Sequence, residues 1–431
     1  MKAYTEMTRN ELLEEQALLQ AEYRELCAMD LHLDMSRGKP SAEQLDLSMP
    51  MMDVLTSKTP LKSRKGTDLR NYGVLDGIDE AKELIAAMID TQPENVIVYG
   101  NASLHIMYEA IGNAMMHGIL GSTPWVKLDS VKFLCPVPGY DRHFTITESF
   151  GIEMINVPLT ETGPDMDMVE EYVNNDESVK GIWCVPKYSN PTGISYSDEV
   201  VQRFANLKPA ASDFRIFWDN AYCVHHIYPE QKDEILDIIS ACEEAGNPDM
   251  VYEFCSTSKI TFSGAGISGM ATSPRNKEEM LKHLTVKTIG FDKINQLRHV
   301  KFLKDMDGVE AHMAKQAALV RPKFELWIDR FEKELSDLDV GSWTHPRGGY
   351  FLTYVSNEGC AKNIIELAQQ AGVVMTGAGA PYPYKKDPRD TVIRIAPTLP
   401  PMDELDQACT VFITCVKLAS IKKLLENATN L

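Results

Sequence analysis

Between Val96 and about Thr272, short β-rich runs at 131–135, 152–158, 181–185, 215–219, 251–255 and 267–271 alternate with helical stretches. Parallel neighbours cannot be joined by a tight turn and need a crossover, usually a helix, so the alternation predicts a mostly parallel sheet covered by helices. In such a sheet the strands deliver their carboxyl ends to one edge, where open α/β folds bind ligands. Residues at or just past the end of a run therefore carry the most functional weight.

The chain has 431 residues, more than one hydrophobic core usually organises, so two compact units are expected. The pattern changes near Lys304. A long helical region runs to Phe331, followed by Gly348-Gly349-Tyr350-Phe351-Leu352, a helix at 364–371, a strand at 392–395 and a last helix from Met402. This tail reads as a smaller α+β domain. The first thirty residues read as a helix with Leu12, Leu13, Gln16, Leu19, Tyr23 and Leu26 on one stripe, ending near Asp30. Residues 31–60 carry Gly38, Pro40, Pro50 and Pro60 without a sustained period and read as an extended arm or connector; 78–89 reads as helix. The expected division is a large unit at 51–304 and a small one made of 1–50 with 305–431.

A formal net charge of −19 repels polyanions, which argues against nucleic acid or an anionic membrane as partner. The N-terminus lacks the apolar core of a secretion signal, and no apolar stretch is long enough to span a bilayer. Nine scattered cysteines without a CxxC pair suit reduced thiols better than a disulfide frame or a metal site, so a cytoplasmic, metal-free protein is expected.

Ser256-Thr257-Ser258-Lys259 directly follows the run at 251–255, so Lys259 sits past a strand end, where its amine can condense with an aldehyde or stay a plain loop lysine. The S-x-x-K of serine acyl-enzymes also needs S-D-N and K-T-G, and neither triplet occurs. Gly264-Ala265-Gly266-Ile267-Ser268-Gly269 matches G-x-G-x-x-G, but a strand rather than a helix is expected after it, and Val286 stands where a dinucleotide site needs an acid. Asp219 closes the apolar strand Arg215-Ile216-Phe217-Trp218-Asp219 and needs a cation, either a pyridinium nitrogen or a structural salt-bridge partner. Asn190 offers an amide in the turn Ser189-Asn190-Pro191-Thr192-Gly193. The small-residue loop Gly100-Asn101-Ala102-Ser103 opens a helix, which is either an ordinary cap or a phosphate seat.

Taken in order and spacing, Tyr72, the Gly100 to Ser103 loop, Asn190-Pro191-Thr192-Gly193, Asp219 with Tyr222, Lys259, and Arg394 in Val392-Ile393-Arg394-Ile395 resemble the class I aminotransferases of pyridoxal phosphate (PLP) fold type I. The resemblance spans roughly 69–397. It implies a mostly parallel seven-stranded sheet in a large domain, a smaller α+β domain, and pyridoxal 5′-phosphate as cofactor. Lys259 would form the internal aldimine and shuttle the proton at the substrate's Cα. Asp219 would hold the pyridinium nitrogen, Tyr222 and Asn190 the ring oxygen, and Tyr140 would stack on the ring. Ala102, Ser103, Ser256 and Ser258 would contact the phosphate, and Tyr72 the phosphate of the neighbouring subunit of a homodimer with shared active sites. Arg394 would grip the substrate α-carboxylate, and Gly38 would line the cleft from the N-terminal arm. Arg37, Lys39, Arg142 and Arg347 are candidates for a second carboxylate, with Arg37 preferred because the arm can close over the substrate.

Where most class I members carry a phosphate-binding arginine eight residues after the lysine, this chain has Ile267, so Ser268, backbone N–H groups or a distant base must serve. Ser36-Arg37-Gly38-Lys39-Pro40 and the Ser-Thr-Ser-Lys-Ile-Thr run look like the type Ic branch of aspartate aminotransferases. The resemblance thus implies amino transfer from an L-amino acid, aspartate in that branch, to 2-oxoglutarate by a ping-pong mechanism. A PLP-dependent decarboxylase, a β-lyase, or a transaminase for 2-aminoadipate or aromatic amino acids would share these motifs. A regulator built on the same module would carry a basic recognition helix, and none is found.

Overall fold

The computed structural model describes residues 2–429. The central sheet runs in the order Val96–Tyr99, Ser268–Ala271, Val251–Ser256, Arg215–Asp219, Val179–Cys184, Lys132–Val137, Glu153–Thr160 and Gly163–Pro164. Strands from Val251–Ser256 to Glu153–Thr160 are mutually parallel, and Ser268–Ala271 lies antiparallel between Val96–Tyr99 and Val251–Ser256. The sheet therefore has eight strands where seven were expected. The eighth, Gly163–Pro164, is a two-residue antiparallel return on Leu159 and Thr160. Glycine and proline give no β signal, and only the hairpin geometry makes this pair a strand. The central strands Val179–Cys184 and Arg215–Asp219 are buried throughout, as near-continuous apolar runs covered on both faces must be.

A second apolar core gathers Leu12 and Leu19 of the helix Arg9–Ala28, Trp327 and Phe331 of Met306–Glu334, and Phe412 of the C-terminal helix Met402–Thr429. These surround a three-stranded antiparallel sheet, Gly341–Trp343, Leu352–Ser356 and Val392–Ile395. The helix Met306–Glu334 crosses between the two cores, with Val309 and Met313 packed in the sheet's core and Trp327 and Phe331 in the second. It carries Pro322 in its interior and runs past the expected end at Phe331.

The first helix starts at Arg9, not at the terminus, because Thr8 and Glu11 form a reciprocal capping box. The segment 31–60 is less extended than expected. Ser41 and Gln44 build a second capping box that opens the short helix Ala42–Asp46, and a 3₁₀ turn follows at Met49–Met52. Gln44 is buried, and its Nε2 donates to Gln316 Oε1 at 2.9 Å and to Tyr350 Oη at 3.1 Å, which ties the arm to the body. The run at 348–352 contributes a strand only from Leu352. Gly348 and Gly349 press against Tyr188 where any Cβ would collide, and Gly349 has φ +82, so this stretch turns and sends Tyr350 and Phe351 toward the carboxyl edge of the sheet.

Candidate active site

At that edge lies a cleft of about 540 Å³. Its walls include Ala102, Ser103, Tyr140, Asn190, Asp219, Tyr222, Ser256, Ser258 and Lys259 from the sheet side, with Arg37, Gly38 and Arg394 opposite. Segments far apart in sequence meet here because each parallel strand ends on the same edge.

Lys259 lies in the turn after Val251–Ser256. Thr257 fixes this turn: its N–H donates to Ile267 O at 2.8 Å, and its Oγ1 accepts from Ile267 N at 3.0 Å. The Lys259 carbonyl accepts from Tyr350 Oη at 3.4 Å, and His225 Nε2 lies 3.3 Å from it. The amine has no hydrogen bond or ion pair among the described residues; it lies 5.2 Å from the centre of the Tyr222 ring and 5.9 Å from that of Tyr350. Desolvation lowers its proton affinity, and the charge of Asp219 only partly restores it. Burial, then the Lys259 charge, push His225 down to about 3, so that imidazole is neutral.

Asp219 is 2% exposed. His143 Nε2 donates to its Oδ2 at 2.9 Å, and the His143 ring stacks on Trp183 at 4.3 Å with 7° between planes. Trp183 in turn donates from Nε1 to Thr147 Oγ1 at 2.8 Å. Only half of the carboxylate is used: Oδ1 is buried without a partner. A buried acceptor left open costs free energy unless something fills the cleft beside it. Burial foremost, then the Asp219 and Asp141 charges, push the Tyr140 hydroxyl up to about 12, and burial likewise holds the Tyr222 proton well above the ordinary range.

The helix Ser103–His117 aims its N-terminus at the cleft, and its N-cap Ala102 provides no side-chain acceptor for the first N–H groups. Ser256 Oγ donates to Ser258 Oγ at 3.1 Å beside it. Ile267 is 1% exposed and belongs to the apolar core. Ser268, one of the expected substitutes for the missing arginine, is fully buried with its hydroxyl donating to Gly100 O at 2.8 Å, so it braces the loop from behind and is not part of the cleft wall.

Across the cleft, Arg394 projects inward from Val392–Ile395. Its Nη1 donates to Asp141 Oδ1 at 2.9 Å and to Asn190 Oδ1 at 3.4 Å, its Nη2 to Thr376 Oγ1 at 3.4 Å, and its guanidinium lies 4.9 Å from the centre of the Phe351 ring. Its Nε is buried without a partner. Asn190 is held in its turn by Gly193 N donating to Ser189 O at 2.6 Å and by Thr353 Oγ1 donating to Pro191 O at 2.9 Å. Gly38 packs against the Phe351 ring so closely that a Cβ would overlap it.

Among the candidate cations, Arg37 and Arg142 line the cleft and are exposed, with no ion pair among the described residues. Arg347 lies elsewhere, pairing with Asp233 at 2.6 Å in an open hollow of about 710 Å³ that holds none of the convergent groups above. Lys39 does not line the cleft, although Thr398 Oγ1 donates to its carbonyl at 2.9 Å. Tyr72 is 79% exposed and outside the cleft of its own chain.

Sequence reasoning missed His143, Trp183, Asp141, Thr376 and Phe351. For His143 a signal existed: it stands three residues after Tyr140 at the start of the helix Asp141–Ser149, on the face that Tyr140 turns to the strand ends. Asp141, Thr376 and Phe351 carry no local signature, since their roles exist only through Arg394.

The family model "Aspartate amino-transferase" matches residues 7–428. An aspartate aminotransferase of Corynebacterium glutamicum is 44% identical over 403 residues, covering 93% of each chain. The crystal structure of an aspartate transaminase from Corynebacterium glutamicum superposes with a TM-score of 0.95 at 42% identity, covering 98% of this chain and 99% of that one. LysN, the α-aminoadipate aminotransferase of Thermus thermophilus, shares the fold at a TM-score of 0.72 and 17% identity, covering 91% of this chain and 93% of that one.

Proposed function

The chain belongs to the aspartate aminotransferase family, enzymes of fold type I, and from that premise we propose that it moves the amino group of L-aspartate to 2-oxoglutarate by a ping-pong mechanism, with pyridoxal 5′-phosphate bound at Lys259. The observation that carries this reading is the pairing of an unengaged Lys259 amine of lowered proton affinity with the unpartnered, buried Asp219 Oδ1 on one wall of the same cleft. The residues fit the cofactor: an amine for its aldehyde, an anionic acceptor for its ring N–H, and a helix N-terminus with Ser103, Ser256 and Ser258 for its phosphate. When bound, pyridoxal phosphate supplies the aldehyde and the electron-withdrawing ring that make the Cα proton of an amino acid removable.

The chain's own groups supply the rest. Asp219, oriented by His143, would keep a proton on the ring nitrogen, and Tyr222 and Asn190 would donate to the ring oxygen. Tyr140 gives a flat surface for stacking. Arg394 takes the α-carboxylate in its fork. Lys259, once its amine is free and neutral, would take the substrate's Cα proton and deliver it to the cofactor carbon on the other side of the transferred nitrogen. Arg37 and Arg142 are the cations within reach of a distal carboxylate, and Gly38 lets the arm approach.

We further infer a homodimer in which Tyr72 completes the partner's phosphate site. Tyr72 is exposed, Gly290 sits against the Gly73 carbonyl, and Ile289 beside it is 61% exposed, an apolar patch that a second copy would cover. A division into units at 51–304, and 1–50 with 305–431, is supported by the separation of the sheet's apolar core from that around Trp327 and Phe331, although Val309 and Met313 of the second unit pack in the first; Met1, Asn430 and Leu431 lie outside the described residues. A cytoplasmic location is supported by nine unpaired cysteines, and no helix among the described residues is long and apolar enough to cross a membrane.

The test is direct. Purified protein supplied with pyridoxal phosphate should turn yellow, borohydride should fix the chromophore on Lys259 by peptide mass, and aspartate with 2-oxoglutarate should yield oxaloacetate and glutamate. Release of carbon dioxide or ammonia in place of glutamate would favour a decarboxylase or β-lyase, and failure to take up the cofactor would overturn the reading.

A further inference from the structure

The Arg394 fork is already in use within the chain. Asp141 Oδ1 sits 2.9 Å from Nη1, where one oxygen of a bound carboxylate would lie, and Thr376 Oγ1 accepts from Nη2 at 3.4 Å, where the other would lie. Asp141 thus presents to Arg394 the same group as a substrate does. The pair is unequal: the Arg394 side chain is 8% exposed and wedged over Phe351, whereas the Asp141 side chain is 34% exposed and faces the cleft. The arginine is fixed, and the acid is the partner able to leave.

Asp141 also has somewhere to go. It is the first residue of the helix Asp141–Ser149, where a carboxylate can turn toward the unsatisfied N–H groups of its own first turn, a favourable position for negative charge. Its backbone carbonyl accepts from Thr145 Oγ1 at 2.9 Å, so the side chain can swing while the helix start stays fixed.

Resting on the reading of Arg394 as the α-carboxylate site, we propose that Asp141 is a positioning residue: it holds the arginine fork open and aligned before substrate arrives, and every incoming α-carboxylate must displace it. Displacement lowers the affinity for all carboxylate ligands by one common factor. That factor is independent of the ligand's other end, because the free energy of breaking the same Arg394–Asp141 contact enters the binding of every ligand equally. It sets how much amino acid fills the site, while the choice among amino acids remains with the distal cations.

The experiment is calorimetric titration of the pyridoxal phosphate-loaded enzyme with propionate and with succinate, neither of which turns over. In Asp141→Asn both should bind about fivefold more tightly, as expected when a partly exposed competing ion pair worth about 1 kcal/mol is removed, and by the same factor. Asp141→Glu, which keeps the charge, should stay within about twofold of the parent. A merely structural role predicts the opposite sign, weaker binding of both, and would overturn the proposal. So would unchanged affinities, or a gain for succinate alone, which would put Asp141 opposite the distal carboxylate. These titrations are separable from the identity of the amino donor: an enzyme that fails to transaminate aspartate yet gives equal gains refutes the proposed substrate and leaves Asp141's role standing. Propionate binding that survives Arg394→Ala unchanged would remove the premise itself.

Discussion

On the sheet side of the cleft, Asp219 ends a strand hydrogen-bonded on both flanks, to Val179–Cys184 and to Val251–Ser256, and Lys259 follows within three residues of the latter's end. Across from it, Arg37 and Gly38 ride on a segment whose only sheet pairing among the described residues is Leu33 and Asp34 with Val373 and Val374, supported by Thr376 Oγ1 donating to Ser36 O at 2.9 Å. The Asp219 wall is buried and carries an unpartnered polar atom, which only rigid surroundings can hold in place; the arm segment with Arg37 and Gly38 is more exposed and is tied to the body by that short pairing and a few side-chain bonds. The contrast teaches a division of labour. Chemistry needs fixed geometry and shifted proton affinities, while access and side-chain choice need a wall that can move.

That contrast can be broken by substitution. Lys259→Ala, on the rigid wall, should lower kcat by about 10³- to 10⁴-fold in the oxaloacetate assay, the upper part of the range for loss of a positioned acid–base group. A loss under tenfold would move the chemistry elsewhere. Arg394→Ala should lower kcat/KM by roughly 10²- to 10³-fold, because it removes a buried charge-assisted fork and leaves Asp141 without its partner. Arg37→Ala, on the exposed arm, should lower kcat/KM for aspartate about tenfold more than for alanine. Equal losses for both amino acids would take Arg37 out of substrate recognition. Gly38→Ala should cost about 1 kcal/mol of stability, read as a lowered Tm, since the Phe351 ring must shift to admit the methyl.

The smallest effect is a pH shift. Only a neutral Lys259 amine attacks an aldehyde, so the rate at which the apoprotein takes up pyridoxal phosphate should rise with pH and level off above the amine's depressed pKa. The Asp219 charge raises that pKa. Asp219→Asn removes it, so the rising limb should move to lower pH; a move to higher pH would mean that the two groups are not coupled as the geometry requires.

Much of this molecule is legible locally. The strands at 215–219 and 392–395 and the C-terminal helix start at Met402 coincide with the expected positions, because an apolar run or an i, i+4 stripe is written in neighbouring residues. The Gly264 to Gly269 run, rejected as a dinucleotide fingerprint, indeed leads into the strand Ser268–Ala271. Less was legible where the cause lies at a distance. The helix Ala42–Asp46 is one turn, too short for periodicity to register, and its Gln44 is anchored by Gln316 and Tyr350 far along the chain. Ser268 was a reasonable candidate for the phosphate until its hydroxyl proved to be used by Gly100 O.

By itself the sequence determined that strands alternate with helices, and hence that Asn190, Asp219 and Lys259, each just at or past a strand, share one edge of a parallel sheet. It also determined the order of groups that places the chain in its family. Only the tertiary structure decided which strand ends are neighbours, and so that His143 orients Asp219, that Ile267 is core, and that Asp141 occupies Arg394. The physical reason is range: backbone period and turn chemistry act over a few residues, whereas a hydrogen bond between residues 141 and 394 exists only once both cores have packed.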